Sequence, residues 1–242
     1  MSTESLPVPG ASHSFVGVEV RRREDARLLR GRATFCDDVR SPEMAYAAFV
    51  RSPHAHARIT SLDTTGALGN PAVLCVLTIE DLDKAGLDVI KPNWVIGDCH
   101  VPRRPVLADG IVRFAGEPVA VVVASSREAA ADAAELVQVE YAPLPAVSSA
   151  EVALGPDSVL LHDNVPGNLI GTWDIGGGDV EAAFARAHAH VKLRLENNRL
   201  IPSPLEPRTV VAQYEPDTQQ ITMHVSSQMP HMCRRWVAEI LP

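Results

Sequence analysis

The chain has 242 residues, enough at roughly 150 residues per domain for one or two domains with sizeable cores. With 46% hydrophobic and 21% charged residues it is not a disordered chain, which would lack the apolar surface to offset its ordering entropy. Its 22 Lys plus Arg against 30 Asp plus Glu give a formal charge of -8, so no basic surface for nucleic acid or an anionic membrane is expected. Residues 1–18 read as a polar N-terminal tail, with neither the basic n-region nor the apolar h-region of a secretion signal. The apolar runs 44–50, 72–77 and 118–124 suit buried strands, and the last of them, PVAVVVA, is β-branched and bounded by turn residues. Ser125-Ser126-Arg127-Glu128 then reads as a capping box for a helix with Ala130, Ala133, Ala134 and Val137 on one face, and the strand VQVEY completes a β-α-β unit.

A Pro-, Gly- and Asn-rich stretch from Pro143 to Gly171 suggests a linker, placed at 151–170, and hence a second block. That block opens on Gly176-Gly177-Gly178-Asp179, where Asp179 can cap a helix with the stripe Val180, Ala183, Phe184 and Ala187. Strict alternation follows: Ala189, Val191, Leu193 and Leu195 on one side, His190, Lys192, Arg194 and Glu196 on the other. This is the pattern of a half-buried strand. Strands 209–215 and 221–226 flank Pro216-Asp217-Thr218 as a hairpin, and a helix begins near Pro230, with Cys233, Trp236, Val237 and Ile240 on one face.

The chemistry visible in the residues is sparse. Cys36, Cys75, Cys99 and Cys233 stand singly, without the clustered spacing that zinc or iron–sulfur ligation requires. Scattered thiols and the absence of a long apolar span favour a cytoplasmic protein. The pairs His54/His56 and His188/His190 could each offer two imidazoles on a strand face, but no third ligand is nearby, and solvated histidines are the plainer expectation. The run Gly176–Gly178 resembles a phosphate cradle only loosely, because no G-x-G-x-x-G or Walker spacing is completed and Asp179 would repel an anion. Cys233 is expected in the core rather than as a nucleophile, since His231 would not face it on a helix. Gln228, in SSQMPH between a strand and a helix, stands where side chains are often presented to a cleft.

The stretches RREDARLLRGRATFCDD (22–38), FVRSPHAHARI (49–59), VLADGIVRFAGEPVAVVVASSREAAADAAELVQVEYAPLPAV (106–147) and GDVEAAFARA (178–187) closely resemble the molybdenum-binding large subunit of the xanthine dehydrogenase/aldehyde oxidase/carbon monoxide dehydrogenase family, in the same order and spacing. The stretch LIPSPLEPRTVVA (200–212) is similar to the carbon monoxide dehydrogenase-like branch. The resemblance implies an α+β, mixed α/β fold. Residues 19–150 would form an α/β hammerhead domain, and 171–242 the incomplete beginning of the first molybdopterin-binding domain.

The cofactor it implies is molybdenum-molybdopterin, with Fe-S and FAD on small and medium partner subunits and a small-molecule aldehyde or N-heterocycle as substrate, hydroxylated with water-derived oxygen. In VSSQMPHMCRRW, Gln228 aligns with the family's glutamine whose amide hydrogen-bonds an oxygen ligand of molybdenum. No metal ligand on the chain itself is implied. The family's general-base glutamate and Gly-Gly-Phe-Gly-type loop have no counterpart before Pro242, and Gly176–Gly178 is not that loop. The expectation is a part of a molybdenum hydroxylase without turnover by itself, completed by the remainder of the large subunit or by a second chain. A non-catalytic assembly module or relic is the alternative.

Overall fold

A computed structural model describes residues 16, 19, 21–92, 95 and 97–242. Apart from Val16, the tail expected at 1–18 lies outside the described residues. In chain order the elements are α1 (Asp25–Leu28), β1 (Tyr46–Arg51), β2 (Ala57–Asp63), α2 (Thr65–Leu68), β3 (Val73–Leu77), α3 (Ile79–Lys84), β4 (Ile111–Val112), β5 (Pro118–Ala124), α4 (Arg127–Glu135), β6 (Gln138–Pro143), α5 (Ala150–Ala153), α6 (Val180–Arg186), β7 (Val210–Glu215), β8 (Gln220–Val225) and α7 (Pro230–Ile240). The fold is the expected mixture of helix and sheet. The chain divides into two compact units, one of Met1–Arg40 with Ser203–Ser226 and one of Ser41–Pro202 with Ser227–Pro242.

The core of the larger unit is built on β5. Its run PVAVVVA is buried at four positions, including the consecutive Val119 and Ala120, because β5 is the middle strand of the sheet β1-β5-β3 and meets side chains on both faces. Both of its neighbours run antiparallel to it. Strand β1 alternates half-buried and exposed residues, as a strand with one covered face should. Val122, Ala67, Ala133 and Val137 pack as one cluster; Val119, Val112, Ala57 and Ala108 form another. Each fully buried valine contributes about 1.5–3 kcal/mol relative to exposure.

Helix α4 covers the first of these clusters with Ala130 and Ala133, whose short side chains permit the helix to lie close against the strands. The approach is tight at the neighbouring turn as well. A Cβ on Gly66 would stand 3.0 Å from the Leu136 carbonyl oxygen, so a larger residue in α2 at that point would require this backbone to give by a few tenths of an ångström.

Three sequence expectations are corrected. The helix cap falls one residue later than the proposed box: Ser126 Oγ accepts the Ala129 N–H at 3.1 Å, and Glu128, now in the first turn, is out of register to reach back. Strands β5 and β6 flank α4 but do not share a sheet. Strand β6 belongs to the order β4-β2-β6 and pairs antiparallel with β2, so no β-α-β unit forms. Residues 189–196 form no strand, and Val191, Leu193 and Leu195 are 82%, 76% and 88% exposed. A half-buried strand requires a ladder partner and a face to pack on, and the described residues supply neither.

The other elements expected from the sequence appear close to their places. Asp179 caps α6 by accepting the Ala182 N–H at 2.9 Å. Strands β7 and β8 pair in register from Val210↔Val225 to Glu215↔Gln220 as the hairpin. The stretch read as a linker is anchored at Asn168, which sits at φ +56° and bonds Ala153 O, Val159 O and the Leu161 N–H through its amide.

Candidate functional site

The site singled out in the sequence lies where the chain enters α7. Pro230 occupies the first helical position, where its missing N–H costs nothing and its fixed φ starts the turn. Within the eleven-residue helix Met232, Cys233, Trp236, Val237 and Ile240 are half-buried, while Arg234, Arg235 and Ala238 are exposed. The helix is held at its far end, where the Asp88 N–H donates to Ile240 O at 2.9 Å and Arg235 meets Glu239 at 2.6 Å.

At its near end Ser227 organises the approach. Ser227 Oγ accepts the Met229 N–H at 3.0 Å and lies 3.1 Å from Cys233 Sγ. Cys233, expected in the core, is half-buried and engaged by this serine. Gln228 stands between Ser227 and Met229 with its side chain exposed, and its carboxamide has no hydrogen-bond partner among the described residues. No side chain caps the first turn of α7. Gln228 is thus an uncharged donor beside the partially positive end of a helix, with no carboxylate on residues 226–233 to oppose an oxygen-rich ligand.

Three of the four histidines make contacts within the fold. His56 is buried at 7% exposure, and its Nδ1–H donates to Pro145 O at 2.7 Å; the His54 ring lies 5.0 Å from that of Tyr141. His190 Nε2–H donates to Phe184 O at 2.9 Å, folding the ring back on α6. No group of three or more His, Cys, Asp or Glu side chains among the described residues could hold a metal ion. Gly176 to Gly178 form an open loop ahead of α6, with only Gly178 at positive φ.

One residue that the sequence reading passed over does structural work in the smaller unit. Glu206, from the stretch 200–212, accepts the backbone N–H of Cys36 at 2.8 Å, and this bond holds its carboxyl below the ordinary range. Burial, reinforced by the same carboxylate, pushes the Cys36 thiol up, which favours its protonated form. The signal was the one acidic residue amid the prolines of LIPSPLEPR, which periodicity does not score.

A cavity of about 470 Å³ is lined by Asp98, Cys99, His100 and Leu169 among others, and one of about 200 Å³ by Arg103, Asp109, Arg113 and His162 among others. Neither includes residues of the 226–233 approach.

Residues 30–145 match the family described as aldehyde oxidase and xanthine dehydrogenase, a/b hammerhead domain, and residues 161–242 match the molybdopterin cofactor-binding domain. The fold and the matches together define a hammerhead domain followed by a molybdopterin cofactor-binding domain. The chain belongs to the xanthine dehydrogenase/aldehyde oxidase/carbon monoxide dehydrogenase family of molybdenum-binding large subunits.

It is 37% identical to the carbon monoxide dehydrogenase large chain of Afipia carboxidovorans, over 93% of this chain and 29% of that one. It is also 37% identical to the nicotine 6-hydroxylase large subunit of Paenarthrobacter nicotinovorans, over 92% of this chain and 27% of that one. The crystal structure of quinoline 2-oxidoreductase from Pseudomonas putida 86 superposes with a TM-score of 0.83 at 39% identity, covering 93% of this chain and 28% of that chain. The chain therefore spans under a third of the length of these relatives. Among the described residues no helix is long and apolar enough to cross a membrane.

Proposed function

We propose that this chain is part of a cytoplasmic molybdenum hydroxylase large subunit, in which residues 19–150 serve as the hammerhead domain and 171–242 as the opening of the first molybdopterin-binding domain. The observation that carries this reading is the unpartnered, exposed carboxamide of Gln228 at the N-terminus of α7, within the segment that matches the molybdopterin cofactor-binding domain. The donor set suits the cofactor: a neutral amide N–H can orient an oxygen-bearing group without adding charge, and the helix end beside it favours electron-rich atoms.

When bound, molybdenum-molybdopterin supplies the oxidising centre for hydroxylation of an aldehyde, N-heterocycle or similar small molecule. Gln228 holds the group by one hydrogen bond. Ser227 keeps Gln228 in place through the Met229 N–H. No residue of the chain is assigned as general base, and the chain works with the remainder of the large subunit, or a second chain supplying it. Electrons leave through small Fe-S and medium FAD subunits.

The test is the native mass and molybdenum content of the protein purified from its own cells, together with Gln228→Ala in the assembled enzyme. Co-purification with further chains and molybdenum supports the reading. Loss of one aimed hydrogen bond should lower the hydroxylation rate by on the order of 1–3 kcal/mol of transition-state stabilisation at unchanged metal occupancy. Unchanged kinetics at full occupancy would remove Gln228 from the role. A 26.0 kDa species free of molybdenum and partners would favour an assembly module instead.

A further inference from the structure

We infer that the contact of Arg113 with Leu161 and His162 is a latch, opened by protons, between the hammerhead domain and the segment that begins the molybdopterin cofactor-binding domain. The first matched region ends at residue 145 and the second begins at 161, with only the one-turn helix α5 between them. Among the described residues three hydrogen bonds join 100–113 to 161–170. Arg113 Nε–H donates to Leu161 O at 2.7 Å, the His100 N–H donates to Ile170 O at 2.7 Å, and the Asn164 amide donates to Val101 O at 3.0 Å. Arg113 also donates through Nη1 to Ile111 O at 3.2 Å, which ties the guanidinium to the hammerhead side while Nε–H reaches across.

His162 stands beside this bond. It shares the cavity of about 200 Å³ with Arg103, Asp109, Arg113 and Asp163, is half-buried, and its ring makes no hydrogen bond among the described residues. Arg103 is already taken up by Asp109 and, at 3.6 Å, by Asp83. Arg113 has no carboxylate partner among the described residues, so its charge is the one that meets His162. Asp163, on the same segment as His162, favours the imidazolium, but burial and the Arg113 guanidinium outweigh it and hold the ring below the ordinary histidine range. With the latch closed, a proton on His162 sets two cations together in a partly dry cavity. Opening returns the ring to water, where it takes the proton at about 6.5. From that value downward the open form binds the proton first, so opening grows easier until the closed form titrates as well.

The experiment follows hydrogen exchange in the 242-residue chain from about pH 7.5 to about pH 5, each rate being divided by its intrinsic value at that pH. Protection of the Arg113 Nε–H and of the His100 amide should fall at least about threefold across this range, while the amides of β5 keep theirs. His162→Gln should hold that protection constant. Arg113→Ala should lower the protection of the His100 amide already at neutral pH and let His162, followed through its ring-carbon shift, titrate closer to the ordinary value. Constant protection in the wild-type chain would overturn the proposal. So would the same fall in His162→Gln, which would assign the effect to other titrating groups, or a parallel fall in β5, which would assign it to acid unfolding of the whole unit. Where Arg113→Ala does not fold, the His162→Gln comparison decides. No metal takes part, so the outcome is independent of the Gln228 reading.

Discussion

Ser227 Oγ lies 3.1 Å from Cys233 Sγ while accepting the Met229 N–H at 3.0 Å, so a single hydroxyl spans the approach to α7 on either side of Gln228. An Asx-like turn of this kind fixes a backbone that the helix itself leaves unsatisfied. Ser227→Ala should cost about 0.5–1.5 kcal/mol in urea unfolding and speed exchange of the Met229 amide, with Ser227→Thr retaining most of the protection. Unaltered Met229 exchange in the alanine variant would show that the hydroxyl does not hold the turn.

His56 ties the start of β2 to the chain beyond β6 through Nδ1–H and Pro145 O at 2.7 Å, in a position only 7% exposed. Removing the ring leaves the Pro145 carbonyl without its donor as well as a cavity at the buried His56 position. His56→Ala should therefore destabilise by about 2–4 kcal/mol, and His56→Asn, whose amide can stand in for the Nδ1–H, should recover part of the loss. Equal stability of the two variants in chemical denaturation would contradict this bond as the cause.

Val122 and Ser126 test the centre and the cap of the same region. Val122→Ala, at a fully buried position in β5, should cost about 1.5–3 kcal/mol, and Ser126→Ala about 1 kcal/mol. Because Ser126 caps α4 while Ser125 does not, Ser125→Ala should leave the helix N-terminus unchanged. Comparison of the three unfolding midpoints decides it.

Asp81 accepts the Thr78 hydroxyl at 2.7 Å and the Thr78 N–H at 2.9 Å, and these bonds hold its carboxyl below the ordinary aspartate range. A carboxylate whose folded value is depressed stabilises the native state above the unfolded value of about 3.9, and that stabilisation is lost as pH falls through the folded one. Carboxyl-carbon NMR titration should place Asp81 below that value, with the Thr78 amide shift following the same curve. Asp81→Asn should lower stability near neutrality and flatten the acid limb, so that the two proteins converge at low pH.

His162 runs in the opposite chemical sense. Burial and the Arg113 guanidinium hold its imidazole below the ordinary histidine range. As pH falls below about 6.5 the unfolded chain takes up the proton first, so stability declines between that value and the lower folded one. His162→Gln should flatten this segment of the profile, which thermal unfolding at a series of pH values would record.

What the sequence determined alone is what neighbouring residues decide among themselves. PVAVVVA announced a strand covered on both faces because unbroken β-branched runs fit only there. Asp179 and the stripe behind it specified α6, and the turn residues at 216–218 joined β7 to β8. The family was legible because many short stretches agree in order and spacing, which no single motif here achieves. Strand β2 escaped notice because its pairing shifts register between Ile59 and Ser61 and breaks the alternation.

Tertiary structure decided the rest, because pairing partners and burial are properties of distant residues. It placed β5 and β6 in separate sheets, although one helix links them. It made His56 a buried strut and gave Glu206 its hold on Cys36 across 170 positions, neither of which local pattern encodes. The alternation at 189–196 shows the same division: side-chain spacing confers the capacity to be a strand, but only a second strand with free backbone groups turns that capacity into structure.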